Sequence, residues 1–224
     1  MAGILDKKYH DNRKKCVDLI YRLNRRTSEV KKIIEKHFNK SDYFKLNCLD
    51  IGTADGLMLS KLKKIFQFNK AIGIDMSEEL IKTNKDKNIK LEIGNAENLH
   101  FDNNSFDIIV ACAVIEHVDN PNKMLSECHR VLKKNGILII TTPNPFHDEV
   151  ATKIGYFKEE NHVETLNQPK LNKMFRSNNF SIVSSKYFMF FPFFKLPLEN
   201  QIESLIRFIR LGKIMTNQLI VGKK

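Results

Sequence analysis

The stretch Leu49-Asp-Ile-Gly-Thr-Ala-Asp-Gly56 decides the fold of this chain. It begins with a short apolar run, turns at Gly52 and leads into the amphipathic segment Leu57–Phe66. A strand, a tight glycine turn and a helix in this order bring a nucleotide against bare backbone at a helix N-terminus. A second apolar run ends at Asp75, 19 positions after Gly56, where an acid can accept hydrogen bonds from a ribose diol. The stretch therefore predicts a site for a nucleotide-like cofactor.

The spacing within the turn helps to choose that cofactor. Dinucleotide-binding folds use G-x-G-x-x-G, whereas this turn reads Gly52-x-Ala54-x-Gly56, with Asp50 two residues before the first glycine. A carboxylate at that strand end would repel a pyrophosphate and would suit a ligand that carries an ammonium group. The turn resembles motif I of class I S-adenosylmethionine-dependent methyltransferases, D-x-G-x-G-x-G, with Ala54 in place of the middle glycine.

The resemblance to this family continues along residues 46 to 186. Gly73-Ile-Asp75-Met-Ser77 is similar to the family's second strand and ribose-binding acid, and Gly94-Asn-Ala-Glu-Asn-Leu-His-Phe101 is similar to its adenine-contacting loop. Ser105–Cys112 resembles the fourth strand, and Arg130–Asn144 resembles the R-V-L-K-P-G-G segment with the fifth strand. The resemblance implies S-adenosylmethionine as the cofactor and S-adenosylhomocysteine as the product.

The same resemblance implies which residues contact the cofactor. Asp50 is expected near the methionine amino group, and Asp75 is expected to hold the ribose hydroxyls. Asn95, which stands where the family usually has Asp, is expected with its neighbours at the adenine edge. The full set of expected cofactor-binding residues is Asp50, Gly52, Thr53, Ala54, Gly56, Asp75, Met76, Asn95, Ala96, Glu97 and Ala111.

Methyl transfer from a sulfonium is an in-line displacement, so the protein mainly has to align the nucleophile, the methyl group and the sulfur. A hydroxyl or phenol acceptor also needs a base, and the candidates are His117, His147 and His162. His117 follows the expected fourth strand, at the sheet edge where ligands bind. Each histidine also has a structural reading, as a packing residue for His117 and as an ordinary loop residue for the other two.

Glu116-His117 also resembles part of the E-x-x-E-H pattern that ubiquinone-biosynthesis O-methyltransferases associate with a divalent metal. Ala113 stands where the first glutamate of that pattern belongs. We therefore expect no metal. The four cysteines form no C-x-x-C pair, so we expect neither disulfides nor structural zinc.

Composition is typical of one soluble domain. The 224 residues are 42% hydrophobic, which is enough for a single sizeable core. No apolar run approaches the ~18 residues of a membrane span, and the charged start lacks the apolar region of a signal peptide. We therefore expect a cytoplasmic protein, with peripheral membrane association as a further hypothesis.

The net charge of +11 is concentrated at the two ends. Residues 1–45 carry 13 basic and 6 acidic side chains, and residues 186–224 carry 7 and 2, while the middle is close to neutral. Basic ends suit an anionic partner such as a lipid surface, a nucleic acid or an acidic substrate. The alternative is a genome-wide bias toward Lys and Asn.

Hydrophobic periodicity predicts an α/β, Rossmann-like three-layer sandwich around a seven-stranded, mostly parallel sheet. Two N-terminal helices are expected within residues 7–38, divided near Thr27-Ser28. The expected strands are 46–51, 70–75, 89–93, 106–112, 136–142, 180–187 and 215–221, and the expected helices are 55–66, 77–86, 122–134 and 168–178. The resemblance implies that the last strand is antiparallel and lies between the fifth and the sixth.

We expect one methyltransferase domain over residues 1–224. It comprises an N-terminal helical extension (1–45), the cofactor-binding core (46–187), an insertion or cap (188–213) and the last strand (214–224). The insertion holds Phe188-Met-Phe-Phe-Pro-Phe-Phe194 and a segment with Ile202, Leu205, Ile206 and Ile209 on one face beside basic residues. Such a segment is typical of an interfacial anchor or a lipid-tail pocket, and packing into the domain itself is the alternative.

These patterns predict methyl transfer to an oxygen of a small-molecule or lipid-linked acceptor, and peripheral contact with an anionic membrane through residues 188–213 is a further hypothesis. A nucleic-acid methyltransferase is the second reading, and the absence of an N-P-P-Y-type tetrapeptide after the fourth strand disfavours it. A non-catalytic S-adenosylmethionine-binding module is the third. A nicotinamide-dependent oxidoreductase is less consistent with the turn.

Overall fold

The computed structural model describes residues 15–146 and 166–224. Its strands, numbered along the chain, are β1 Asn47–Ile51, β2 Lys70–Asp75, β3 Lys90–Ile93, β4 Phe106–Cys112, β5 Leu132–Pro143, β6 Ser181–Phe188 and β7 Asn217–Lys223. They form one seven-stranded sheet in the order β3-β2-β1-β4-β5-β7-β6. Neighbours pair in parallel except β7, which is antiparallel to both β5 and β6. The predicted strands and the predicted place of the last strand are confirmed.

Six α-helices surround the sheet within the described residues. They are α1 Val17–His37, α2 Leu57–Phe66, α3 Glu78–Lys82, α4 Pro121–Val131, α5 Gln168–Ser177 and α6 Glu199–Phe208. Short 3₁₀ turns lie at Lys40–Lys45 and Gly212–Ile214. Asn120 caps α4 and Asn167 caps α5, and in both helices a proline occupies the first turn, where a missing N–H costs nothing.

Three predicted helix boundaries are wrong. The division near Thr27-Ser28 does not occur, because α1 runs through it and the Thr27 hydroxyl donates back to the Leu23 carbonyl at 2.7 Å. The helix predicted to reach residue 86 ends at Lys82, where the backbone enters a turn. The helix predicted to reach residue 134 ends at Val131, because the next residue already pairs with Phe106 in the sheet. The part of the N-terminal prediction before residue 15 lies outside the described residues.

Two apolar clusters fill the space on the two faces of the sheet. On one face Met124 and Leu125 of α4 and Phe175 of α5 pack against strand residues such as Leu49. On the other face α1 and α2 pack against strand neighbours such as Cys48. Successive residues of β1 therefore serve opposite clusters, as alternation along a strand requires. Each fully buried aliphatic side chain contributes about 1.5–3 kcal/mol to the free energy of folding. The sheet with helices packed on both faces is the predicted three-layer sandwich.

Residues after β6 return the chain to the carboxyl edge of the sheet before β7 begins. Phe188 and Met189 are buried, whereas Phe194 is 52% exposed, so the phenylalanine run divides between core and surface. Across the described residues, no helix combines the length and apolar character that a membrane span needs.

Candidate active site

The glycine turn between β1 and α2 uses left-handed backbone at three positions. The φ angle is +69° at Gly52, +54° at Ala54 and +75° at Gly56. A Cβ atom at Gly52 would overlap the side chain of Val114, and one at Gly56 would lie 2.6 Å from Cδ1 of Ile89. Conformation and contacts therefore both require glycine at these two positions, which leaves peptide groups bare before α2.

Asp75 joins the end of β2 to this turn. Its Oδ2 accepts a hydrogen bond from the Ala54 amide at 2.8 Å, and its Oδ1 accepts one from the Ser77 amide at 2.9 Å. A carboxylate offers about four acceptor sites, so both oxygens retain capacity for a ribose diol. Met76 follows with its side chain 56% exposed, beside the same edge of the sheet.

Asp50 is buried at the carboxyl end of β1. Its Oδ2 accepts a hydrogen bond from the Thr53 hydroxyl at 2.8 Å, which holds the carboxylate over the turn. The amides of Gly52 and Thr53 both donate to the Ile74 carbonyl of β2. Ala111, fully buried in β4, pairs with the last residue of β1. The sheet thus brings the expected methionine-side residues together.

The loop after β3 holds the three residues expected at the adenine edge. Asn95 is exposed and its Oδ1 accepts a hydrogen bond from the Glu97 amide at 2.8 Å, while Ala96 is buried. Glu97 Oε1 accepts hydrogen bonds from the amides of Asp119 and Asn120 at 2.8 and 3.1 Å. Glu97 therefore fixes this loop against the connection between β4 and α4.

These groups match the chemistry of S-adenosylmethionine part by part. The Asp50 carboxylate suits an ammonium group, and the Asp75 carboxylate suits two neighbouring hydroxyls. Bare backbone between them permits close approach of a ligand, and the exposed Met76 side chain offers an apolar surface to a purine ring. The residues present fit the cofactor that the sequence predicts.

Glu116 lies beyond β4 with only 3% of its surface exposed. Neither carboxylate oxygen has a hydrogen-bond partner that meets ordinary geometric criteria within the described residues. Burial raises the pKa of this carboxyl above its ordinary range, although the charges of His117 and Arg26 and the nearby Thr142 hydroxyl oppose the shift. A buried carboxyl with free acceptor capacity at the ligand-binding edge is a candidate proton acceptor.

Of the three predicted catalytic histidines, the described residues include His117 alone. His117 is half-buried, and its backbone amide donates to the Val114 carbonyl at 2.9 Å in a turn just after β4. Ala113 in this turn has φ of +57°, a conformation that costs energy for a residue with a side chain. His147 and His162 lie outside the described residues.

Arg26 and Asn217 are site residues that the sequence did not single out. Arg26 of α1 donates to Asn217 Oδ1 at 3.1 Å, and its charge opposes the upward pKa shifts that burial causes at Glu116 and Cys112. Burial dominates at Cys112, however, and raises the pKa of its thiol to about 12. Cys112 therefore stays protonated at neutral pH and is no nucleophile. The basic N-terminal segment was the only sequence signal for Arg26.

Two other polar residues shape the same edge. Asn144, at the end of β5, donates from its side chain to the carbonyls of Lys213 and Met215, both at 2.7 Å. Gln218 of β7 donates to the carbonyls of Pro143 and Leu166. They join β5, β7 and the residues just before α5 along this edge of the sheet. Among the residues that the structure describes, no group of three side chains could hold a metal ion.

Comparison with known proteins identifies relatives of this site and fold. A family model described as a methyltransferase domain matches residues 9–185. The uncharacterized protein MJ0638 of Methanocaldococcus jannaschii is 31% identical over 198 residues, which cover 85% of this chain and 80% of that protein. In two further uncharacterized proteins of that organism, MJ1123 and MJ1252, the matched part is about half of the relative's length, 55% and 51%.

Some relatives carry a functional name. A ubiquinone biosynthesis O-methyltransferase of Coxiella burnetii is 36% identical over 102 residues, which cover 43% of each chain. Among solved structures, an S-adenosylmethionine-dependent methyltransferase from Archaeoglobus fulgidus superimposes with a TM-score of 0.60 at 21% identity, over 88% of this chain and 94% of that one. The YcgJ protein of Bacillus subtilis gives 0.64 at 20% identity, over 90% and 98%. At these identities the superpositions establish the fold alone.

Proposed function

The chain belongs to the methyltransferase-domain family, and on that premise we propose that it moves a methyl group to an oxygen of a small-molecule or lipid-linked acceptor. Its cofactor is S-adenosylmethionine, which supplies, when bound, a methyl group activated by the sulfonium. The observation that carries the choice of oxygen is the buried carboxyl of Glu116 at the carboxyl edge of the sheet, whose two oxygens have no hydrogen bond of ordinary geometry among the described residues. The relative named as an O-methyltransferase supports the same choice.

We assign the cofactor to the groove between the turn and the loop after β3. Asp50 binds the ammonium group, Asp75 binds the ribose hydroxyls and Met76 covers the adenine. The loop residues 95–97 line the adenine edge, and Ala111 closes the methionine side. Asp75 supports this arrangement because it holds the Ala54 amide while keeping acceptor capacity toward the groove.

We assign the role of base to Glu116. Burial moves the pKa of this carboxyl upward, in the direction of neutral pH. A general base works best when its pKa lies near the operating pH, because it is then both ionised and sufficiently basic. Glu116 takes the proton from the acceptor hydroxyl, and the Arg26 charge keeps a share of the carboxyl ionised. His117 is the second candidate, since it neighbours Glu116 and its charge is coupled to that carboxyl.

We propose a lipid-linked acceptor because of α6. The face of α6 that packs against the domain carries Glu199, Glu203 and Ile206, all buried. The opposite face is apolar and exposed: Leu205 is 59% exposed and Phe208 is 84% exposed. Exposed apolar side chains beside cations suit the interface of an anionic membrane, where the lipid part of an acceptor would reside.

The proposed organisation is one domain over residues 1–224, with 1–45, 46–187, 188–213 and 214–224 as extension, core, cap and last strand. Contacts between extension and cap support it. Arg25 of α1 forms ion pairs with Glu199 and Glu203 of α6 at 2.8 and 2.9 Å, and the Tyr21 hydroxyl donates to Glu199. These contacts hold α1 against α6, so the two helices can together cover the acceptor.

Transfer of tritium from labelled S-adenosylmethionine tests the proposal. The acceptors are the lipid extract, the aqueous small-molecule extract and the nucleic acids of the cells that produce the chain. We expect label in an extractable small molecule or lipid, held as a base-stable methyl ether, because the proposed acceptor atom is a hydroxyl oxygen. Label confined to nucleic acid, or no transfer to any fraction, would contradict the proposal.

Glu116→Gln tests the base within the same assay. We expect kcat to fall about 100-fold or more, with little change in cofactor affinity, because only proton removal is lost. The pH profile of wild type should rise as Glu116 ionises, above the ordinary Glu pKa of about 4.3, and the variant should lack that rise.

A stability measurement checks the pKa independently of activity. Because the folded state raises the Glu116 pKa, the free energy of unfolding should fall as pH increases from about 4.3 through the folded value. Glu116→Gln should remove that fall and be the more stable protein at neutral pH. His117→Ala serves as the comparison: a larger loss of kcat there than in Glu116→Gln would transfer the role of base to His117.

A further inference from the structure

A cavity lies at the outer edge of the sheet, away from the glycine turn. Its volume is about 390 Å³, and it is lined by residues of α5, β6 and the segment from α6 to the start of β7. Four of the lining side chains are cations: Lys186, Arg207, Arg210 and Lys213. Among the described residues that line it, none carries a carboxylate. A cavity with this lining favours an anion.

Nearby glutamates neutralise only part of this positive charge. Lys186 Nζ lies 2.6 Å from Glu29, and Arg207 lies 3.4 Å from Glu203. Arg210 and Lys213 are exposed, and neither has an ion-pair partner within the described residues. Two cations at the cavity are therefore left available for a ligand.

Three polar atoms at the cavity point to the same conclusion. Nε2 of Gln168, Oδ1 of Asn172 and Oγ of Ser185 are buried without a hydrogen-bond partner in the described part of the chain. Gln168 and Asn172 are four residues apart and so share one face of α5, while Ser185 faces them from β6. Asn172 can present its amide nitrogen instead of its oxygen, because the two are exchanged by a flip. The hydroxyl and two amides can thus donate to an oxyanion.

The cavity adjoins the edge of the sheet that carries the proposed active site. Lys186 pairs with Leu219 of β7, and Leu219 pairs with Thr141 of β5. Two strand spacings separate Lys186 from Thr141, which is about 10 Å. A single extended molecule can reach from this cavity to the acceptor site.

We propose that the cavity binds a phosphate group, and that this phosphate belongs to the methyl acceptor. The phosphate contacts Arg210 and Lys213, and it accepts hydrogen bonds from Ser185, Gln168 and the Asn172 amide. Phosphate binding stands on the cavity alone, whereas its assignment to the acceptor rests on the proposed function.

Titration of the full chain with glycerol 3-phosphate, followed by ³¹P resonance, tests the site at low and at physiological salt. We expect saturable binding that weakens about tenfold or more in Arg210→Gln/Lys213→Gln, because charge-assisted hydrogen bonds are lost. Ser185→Ala should weaken it about threefold or more through one lost donor. Lys85→Gln/Lys87→Gln removes the same charge from exposed lysines elsewhere and should leave affinity within about twofold.

Vesicles containing phosphatidate, compared with phosphatidylcholine vesicles, separate a lipid headgroup from a soluble phosphate as the source. Binding of either source that is weakened by Ser185→Ala supports the site. No saturable binding of either, or equal weakening in the Lys85/Lys87 control, overturns it. S-adenosylmethionine titrated in parallel keeps the two proposals distinct: lost cofactor binding with retained phosphate binding contradicts the proposed function and leaves the phosphate site standing.

Discussion

Ala54 adopts a backbone conformation that favours glycine, with φ of +54°. Its amide donates to Asp75, so the strained position is also the one that ties the turn to the ribose-binding acid. The left-handed conformation costs a residue with a Cβ atom roughly 1–2 kcal/mol. This cost explains why the methyltransferase motif D-x-G-x-G-x-G, which the turn resembles, has glycine at this position.

Ala54→Gly should therefore stabilise the protein. The relief of strain exceeds the extra entropy of glycine in the unfolded chain, and we expect a net gain of about 0.5–1 kcal/mol in the free energy of unfolding. Urea denaturation measures it, with an unchanged dependence on denaturant. Ala71→Gly is the matched control, because Ala71 is 5% exposed in regular β2 and its replacement should destabilise. Equal destabilisation by both changes would show that Ala54 is not strained.

Single residues differ in how far the sequence could predict them. The positions of Asp50 and Asp75 at the ends of their strands could be predicted, because each belongs to a local motif, and their contacts with the cofactor stay predictions. The sequence places Glu116 only in a partial metal-binding pattern, because the burial that makes this carboxyl a candidate base is a property of the folded environment. Arg26 meets Asn217 across 191 positions, a contact that no local spacing encodes.

Among the elements, α6 has its charged face buried and its apolar face exposed. The sequence predicted an apolar stripe with Ile202, Leu205, Ile206 and Ile209, and of these only Ile206 is buried. The inner face instead carries Glu203, whose carboxylate accepts hydrogen bonds from the amides of Met189 and Phe190 and pairs with Arg25. The buried cation comes from α1, far away in sequence, so periodicity alone could not choose which face turns inward.

The exposed face of α6 should bind anionic membranes. Wild type should sediment with phosphatidylglycerol vesicles at low salt and not with phosphatidylcholine vesicles, because basic residues adjoin the apolar face. Leu205→Ser/Phe208→Ser should reduce the bound fraction several-fold. Phe44→Ser is the matched control, since Phe44 is 60% exposed in a 3₁₀ turn outside α6. Wild type that stays in the supernatant, or a control variant that loses binding equally, would count against membrane contact.

At the scale of the whole molecule, the sheet could be predicted almost completely. Alternating apolar runs and glycine turns are local signals, and they placed all seven strands within a few residues. Charge was harder to interpret. The basic ends predicted an anionic partner, yet Arg25 and Arg26 of the N-terminal part contact other residues of this chain. Only the folded structure separates cations that hold elements together from those, such as Arg210 and Lys213, that remain available.

The most direct test of this account is calorimetric titration with S-adenosylmethionine, S-adenosylhomocysteine and NAD. We expect both adenosyl ligands to bind in the micromolar range and NAD not to bind, because Asp50 repels a pyrophosphate and the turn lacks the dinucleotide spacing. Asp75→Ala should weaken the binding of both adenosyl ligands sharply. Absence of adenosyl binding, binding of NAD in their place, or an unchanged affinity in Asp75→Ala would contradict the account.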